Sequence, residues 1–137
     1  MDAIIRKYNY RLETGTVGTD DENIANVLYN INRLEMKKNF SSSDMDALSK
    51  ALGQLFFLVG DAKGSLLDFL DVHGDKTQAD ISDKVIAAFD YAIKLLDDVD
   101  DETDTAKVSA VFPEVYKVLL DIVPSVLALD AQAVGRV

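Results

Sequence analysis

The strongest hydrophobic pattern in the chain lies between Asp80 and Leu96. Apolar residues recur there at a spacing of three and four, which is the period of one face of an α-helix. They are Ile81, Val85, Ile86, Phe89, Ala92, Ile93 and Leu96. Because an amphipathic helix is stabilised mainly by burying its apolar stripe, this segment predicts partner helices elsewhere in the chain. We therefore expect the rest of the fold to be organised around it.

A helix is also predicted between Thr19 and Asn39. Thr19 and Glu22 have the spacing of a capping box, in which each side chain bonds to a backbone amide of the first helical turn. The apolar face that follows consists of Ile24, Val27, Leu28, Ile31 and Leu34. The N-terminal segment, residues 1–18, is less regular. Its first part fits either a short helix or a strand, of which we favour the helix, and its glycines and threonines then predict a loop.

Two helices are predicted between Ser43 and Gly74. The first begins with Ser43 as its N-cap and has a main apolar face made of Met45, Leu48, Leu52, Leu55, Phe56 and Val59. Phe57 and Leu58 extend this apolar surface around the last turn, so we expect both to be buried, either by a second layer of helices in the monomer or by a neighbouring subunit. We favour the monomer core. Two glycines over 60–64 should separate this helix from a short one that ends near Gly74, with that glycine in the left-handed conformation. The alternative is that Gly53 and Gly64 lie at close contacts between helices.

Later in the chain, Thr77 is predicted to cap the organising helix, and an acidic connector follows over 97–104. The carboxylates of this connector are Asp97, Asp98, Asp100, Asp101, Glu102 and Asp104. The helical pattern then resumes. It is expected to kink or break at Pro113 and again at Pro124, because proline has no amide hydrogen. Residues 134–137 are expected to form a fraying tail.

These patterns predict an all-α fold in which a single domain, residues 1–137, is a compact bundle of five to six short-to-medium helices. A chain of 137 residues with 48% hydrophobic residues is large enough to bury one core. The absence of cysteine excludes disulfides and thiolate chemistry. No apolar run reaches the ~20 residues of a membrane span, and the charged N-terminus is unlike a signal peptide. We therefore expect a soluble, cytoplasmic protein that does not bind membranes.

The formal net charge of −10 is concentrated after Phe40. Six acidic and six basic residues balance up to that point, so the remaining chain carries the whole excess. Such a surface repels phosphate backbones, and we expect no direct binding of nucleic acid. A basic, aromatic stretch over 6–11 is the one segment suited to phosphates and bases, but we favour packing of its tyrosines on the bundle. A charged partner is expected to be a basic protein.

No candidate for catalysis or metal binding is supported by its surroundings. An EF-hand count starting at Asp98 places Thr103 where glycine is needed and Ser109 where a bidentate glutamate is needed. The single histidine, His73, is expected at a helix C-terminus, which the helix dipole favours. Ser65 and Asp68, the candidates for a nucleophile and a second acid–base group, belong to no recognisable motif.

The sequence therefore predicts a small, acidic, non-enzymatic protein-binding module that uses no metal or cofactor. Two contact surfaces are candidates, namely the six connector carboxylates and the apolar pair Phe57 and Leu58. An acidic helical domain of this kind would act as an inhibitor if it mimicked the charge of nucleic acid in a basic groove of its partner. One alternative is a structural subunit that forms a homo-oligomer. Another is an enzyme with no recognisable motif.

Overall fold

A computed structural model describes Ile31 and residues 44–134. The elements in order are helix α1, Met45–His73; a 3-10 turn, Gly74–Lys76; α2, Ala79–Asp98; α3, Thr105–Asp121; and α4, Val123–Val134. No described residue lies in a strand, so the all-α class is confirmed for this part of the chain. The four described α-helices, of which α3 and α4 are separated by Ile122 alone, are fewer than the five to six predicted for the whole chain.

Several sequence predictions fall outside the described residues. They concern the segment 1–18, the capping box at Thr19, the basic stretch 6–11 and the last residues, 135–137. Ile31, from the predicted face of the first helix, is helical and is buried in the core. Val134, the first residue of the predicted tail, still belongs to α4. A single domain over the whole chain stays a prediction.

Helix α2 lies at the centre of the fold, because it packs against α1, α3 and α4. Its predicted stripe is confirmed. The fully buried members are Val85, Phe89, Ala92 and Leu96, and the half-buried members packed against the core are Ile81, Ile86 and Ile93. None of the described helices is long and apolar enough to cross a membrane.

Helix α1 is a single helix of 29 residues, so the predicted separation over 60–64 is wrong. The reason is that its buried face continues through this region. The buried residues are Leu48, Leu52, Leu55, Leu58, Val59, Ala62, Leu66, Phe69 and His73. An interior glycine costs a helix about 0.5–1 kcal/mol, whereas full burial of one leucine contributes about 1.5–3 kcal/mol. The N-cap is Asp44, whose side chain accepts from the backbone amide of Asp46 at 3.0 Å, and not the preceding Ser43.

The link between α1 and α2 also differs from the prediction. Gly74 has φ −57° and continues into the 3-10 turn, so it is not in the left-handed conformation. The hydroxyl of Thr77 donates back to the Gly74 carbonyl at 3.3 Å and does not cap α2. The N-cap residue is Gln78, whose amide donates to Oε1 of Gln132 in α4 at 2.7 Å. A side chain distant in sequence therefore holds the start of the central helix.

The two prolines have different effects. Helix α3 continues through Pro113, so a break there is wrong, and a kink within the continuous helix stays a prediction. Proline has no amide hydrogen to donate to the carbonyl four residues earlier in the helix. Because Pro113 is exposed, that carbonyl lies on the solvent side of α3. The break predicted at Pro124 is confirmed to within two residues, since α4 begins at Val123 with the proline in its first turn, where an amide hydrogen is not needed.

Helix α3 begins at a well-formed N-cap, which gives a test of the fold. Oδ1 of Asp104 accepts from the backbone amide of Ala106 at 3.0 Å. We expect Asp104→Ala to lower the free energy of unfolding by about 1 kcal/mol, measured by urea titration, because it removes the acceptor for an otherwise unsatisfied helix amide. Asp104→Asn should retain most of the stability. The matched control, Asp101→Ala, removes an exposed carboxylate without a capping role, and an equal loss in this variant would contradict the assignment.

Candidate binding surfaces

The acidic connector is shorter than the sequence predicts. Helix α2 continues through Asp98, so Asp97 and Asp98 lie in its last turn and only residues 99–104 connect it to α3. Val99 is half-buried and packs against the core. Its amide bonds to the Leu96 carbonyl at 3.4 Å. One apolar anchor thus fixes a connector that is otherwise polar.

Two of the six predicted surface carboxylates have structural roles. Oε1 of Glu102 accepts from the amides of Thr103 and Asp104 at 3.1 and 3.2 Å, and its Oε2 lies 4.0 Å from Nζ of Lys107. Asp104 caps α3 through Ala106. These contacts account for both side chains without a partner molecule.

The other four carboxylates form what we call the acidic patch. It consists of Asp97, Asp98, Asp100 and Asp101, all of them exposed. Asp97 and Asp98 stand at the negative pole of α2, whose last turn contains no basic residue. Such a placement is unfavourable by about 0.3–1 kcal/mol per charge, so helix stability does not explain these residues. Within the described ranges, no group of three or more histidine or carboxylate side chains is placed to hold a metal ion.

The apolar pair is divided by the fold. Leu58 is 4% exposed and belongs to the core, so it is not an interface residue. Phe57 is 68% exposed, and our preference for burying it in the monomer is wrong. Phe56, which was expected on the main apolar face, is 44% exposed. Leu58 therefore takes the place in the core that the sequence analysis assigned to Phe56.

Phe57 lies at the middle of a surface that we call the outer face of α1. Its members are Phe56, Phe57, Gly60, Gly64 and Leu67, to which Gly53 is added one turn before Phe57. The spacing of four, three and four residues from Gly53 through Phe57 and Gly60 to Gly64 keeps these positions on one side of the helix. Leu67 is 44% exposed. The face thus combines large apolar side chains with bare backbone.

Nothing in the described part of the protomer requires glycine at these three positions. A Cβ added at Gly53, Gly60 or Gly64 would meet no described residue within 4 Å, and none of the three has a positive φ. Each nevertheless costs the helix about 0.5–1 kcal/mol relative to alanine. The sequence predicts a loop at 60–64 or, as the alternative, close helix–helix contacts at Gly53 and Gly64, and no such contact is found among the described residues. The four-and-three spacing that places these glycines on one side with Phe57 is a further signal in the sequence.

An ion pair beside Gly64 joins α1 to α2. Nζ of Lys63 donates to Oδ1 of Asp90 between the two helices. Tyr91, the next residue of α2, is 50% exposed. This aromatic side chain is the most exposed large hydrophobic residue of α2.

The single histidine is buried at the end of α1. His73 is the last residue of α1, as predicted, and it is 2% exposed with its ring 4.8 Å from that of Phe69. Asp68 is exposed on the other side of the helix, so the fold does not assemble these two residues into a site. The sequence analysis also missed Asp130, which is fully buried. The sequence indicates this burial, because Asp130 follows the buried Val126 by four residues and so lies on the same face of α4.

The contrast between Leu58 and Phe57 gives a direct test of these assignments. At low protein concentration, Leu58→Ala should lower the free energy of unfolding by about 2–5 kcal/mol through lost burial and a residual cavity. Phe57→Ala should change it by no more than about 0.5 kcal/mol, as is usual for an exposed position. Urea titrations followed by circular dichroism measure both. A large loss for Phe57→Ala in dilute solution would mean that its side chain is buried.

The chain matches no protein-family model, no curated protein and no solved structure. Its function is therefore argued from the chemistry of these two surfaces.

Proposed function

We propose that this protein acts without catalysis, by binding another protein through the outer face of α1. The observation that carries the proposal is the 68% exposure of Phe57 at the middle of a 29-residue helix. The phenyl group is held on a rigid element, so its presentation requires no rearrangement of the backbone. The outer face replaces the apolar pair Phe57 and Leu58 as the proposed contact, because the Leu58 side chain is buried in the core.

The composition of the outer face supports a protein partner. Contiguous exposed apolar surface marks an interaction site more often than scattered single residues do. Aromatic side chains are enriched in protein interfaces and tend to dominate their binding energy. Phe56, Phe57 and Leu67 lie along one stretch of α1, and the glycines between them leave room for close approach. A helix laid along this face would contact both the side chains and the backbone.

The acidic patch supports a second candidate, a contact with a basic protein. Asp97 and Asp98 remain at an unfavourable helix pole, so binding is a better explanation for them than helix stability. In this version the patch mimics the charge of nucleic acid and occupies a basic groove, which would make the protein an inhibitor. The overall charge of −10 would steer such a partner toward the patch.

The first candidate is tested by affinity capture from the cells that make the protein. We expect the tagged full chain to retain one or more proteins, and Phe57→Ser to lose them while keeping the wild-type helical spectrum. The reason is that truncating a central aromatic anchor removes a large part of an interface's affinity. Tyr91→Ser is the matched control, since it changes an exposed aromatic residue of α2. Equal capture by wild type and Phe57→Ser would reject the outer face as the contact.

The second candidate predicts a different dependence on salt. Binding to a basic partner should weaken steeply between ~50 and ~500 mM salt, because screening shortens the range of charge interactions to a few ångströms. Replacing Asp97 and Asp98 with asparagine should reproduce much of this loss at low salt. The measurement is a titration by isothermal calorimetry at each salt concentration. Affinity that is unchanged by both salt and substitution would exclude charge mimicry.

A further inference from the structure

We infer that the outer face of α1 pairs with the same face of a second copy of this chain, with the two α1 helices antiparallel about a two-fold axis. Phe57 of each copy then lies over Gly60 of the other. The inference rests on the proposed function of the outer face and names its partner. A two-fold axis requires this face to be complementary to itself.

The spacing of the face permits this arrangement. When Phe57 is placed at the level of the partner's Gly60 in an antiparallel pair, Gly53 falls at the level of the partner's Gly64. Large side chains therefore meet bare backbone at the centre, and glycine meets glycine on either side. The space above each glycine is open to the partner as far as the described residues are concerned, since a Cβ there would meet none of them within 4 Å. This explains why three helix-weakening residues share one stripe with Phe57.

The charges on the same face select the antiparallel direction. Lys50 and Asp68 lie within about 20° of Phe57 around the axis of α1, on opposite sides of it along the helix. Both are exposed, and neither has a side-chain partner among the described residues. In the stated register, Lys50 lies within one residue of the level of the partner's Asp68, and symmetry forms this pair twice. A parallel pair would instead bring lysine to lysine and aspartate to aspartate, which is unfavourable.

The ends of the face limit the strength of the contact. In the same register, exposed Asp46 lies at the level of the partner's exposed Asp71, and symmetry forms this like-charge pair twice, which opposes association. A contact made by one helix from each copy is modest in size, so we expect association in the micromolar range. The pairing would then depend on protein concentration.

The first experiment is sedimentation equilibrium on the full chain, from about 1 to about 100 µM. We expect the mass to rise toward twice the chain mass of 15.1 kDa. Phe57→Asp should remain at the chain mass with an unchanged helical spectrum and associate at least ~100-fold more weakly, because its charge would be left unpaired in an apolar contact. Tyr91→Asp should associate like the wild type. A wild-type protein that stays at the chain mass throughout overturns the inference.

A second variant separates pairing from folding. Gly60→Leu should raise the melting temperature of the dilute protein by a few degrees, because leucine favours the helix and a Cβ at this exposed position meets no described residue. The same change should weaken association at least ~10-fold by filling the position that receives the partner's Phe57. Opposite effects on the two measurements support the arrangement. Undiminished association of Gly60→Leu would overturn it.

The direction of pairing is measured with one spin label for each copy. The chain has no cysteine, so Val72→Cys provides a single attachment site at an exposed position near the end of α1. An antiparallel pair should separate the two labels by about 40 Å, the rise of roughly 27 residues, whereas a parallel pair would hold them within about 20 Å. The shorter distance would overturn the inference.

The outcomes also separate this inference from the proposed function. A protein that stays monomeric but captures a different protein through Phe57 retains the proposed function and rejects self-pairing. Capture of nothing by a monomeric protein rejects both.

Discussion

The burial of one side of α2 is the constraint on which the rest of the described structure depends. Phe89 and Leu96 are covered because α1, α3 and α4 all lie against this helix. A helix of this length gains little in isolation, so the surrounding helices and the central one stabilise each other. The same requirement explains why α1 continues through three glycines and why α3 continues through Pro113. In both helices, the apolar residues on the core side remain in register across the weak point.

The sequence predicts these buried faces well where a single period continues. The stripe of α2, the start of α3 after Asp104 and the helix boundary near Pro124 all follow from spacing and from local backbone chemistry. Local signals fail where tertiary packing is stronger than propensity, as at Gly60 and Gly64. They also fail at the start of α2, where the hydrogen-bond partner of Gln78 is supplied by a residue of α4 and no nearby residue could indicate it.

The candidate surfaces show a different limit. In the run of Phe56, Phe57 and Leu58, all three residues are apolar, so composition alone does not say which of them faces the core. Helical geometry distinguishes them. Around the axis of α1, Leu58 lies about 60° from the buried Leu55, whereas Phe56 lies about 100° from it. For the carboxylates, the sequence identifies the charges but not their local bonds. Glu102 accepts hydrogen bonds within the connector, whereas Asp97 and Asp98 lie in the last turn of α2. Only the structure distinguishes a carboxylate bonded to the backbone from one exposed at a helix end.

The bond between Gln132 and the amide of Gln78 joins residues 54 positions apart, and this bears on how the protein folds. Most contacts within helices form quickly because they join near neighbours in sequence. This one requires α4 to have docked. The first turn of α2 thus acquires its last polar contact late, together with α4. Opening of α4 would remove this acceptor, so the Gln78 backbone amide is expected to exchange hydrogen before the amides in the middle of α2.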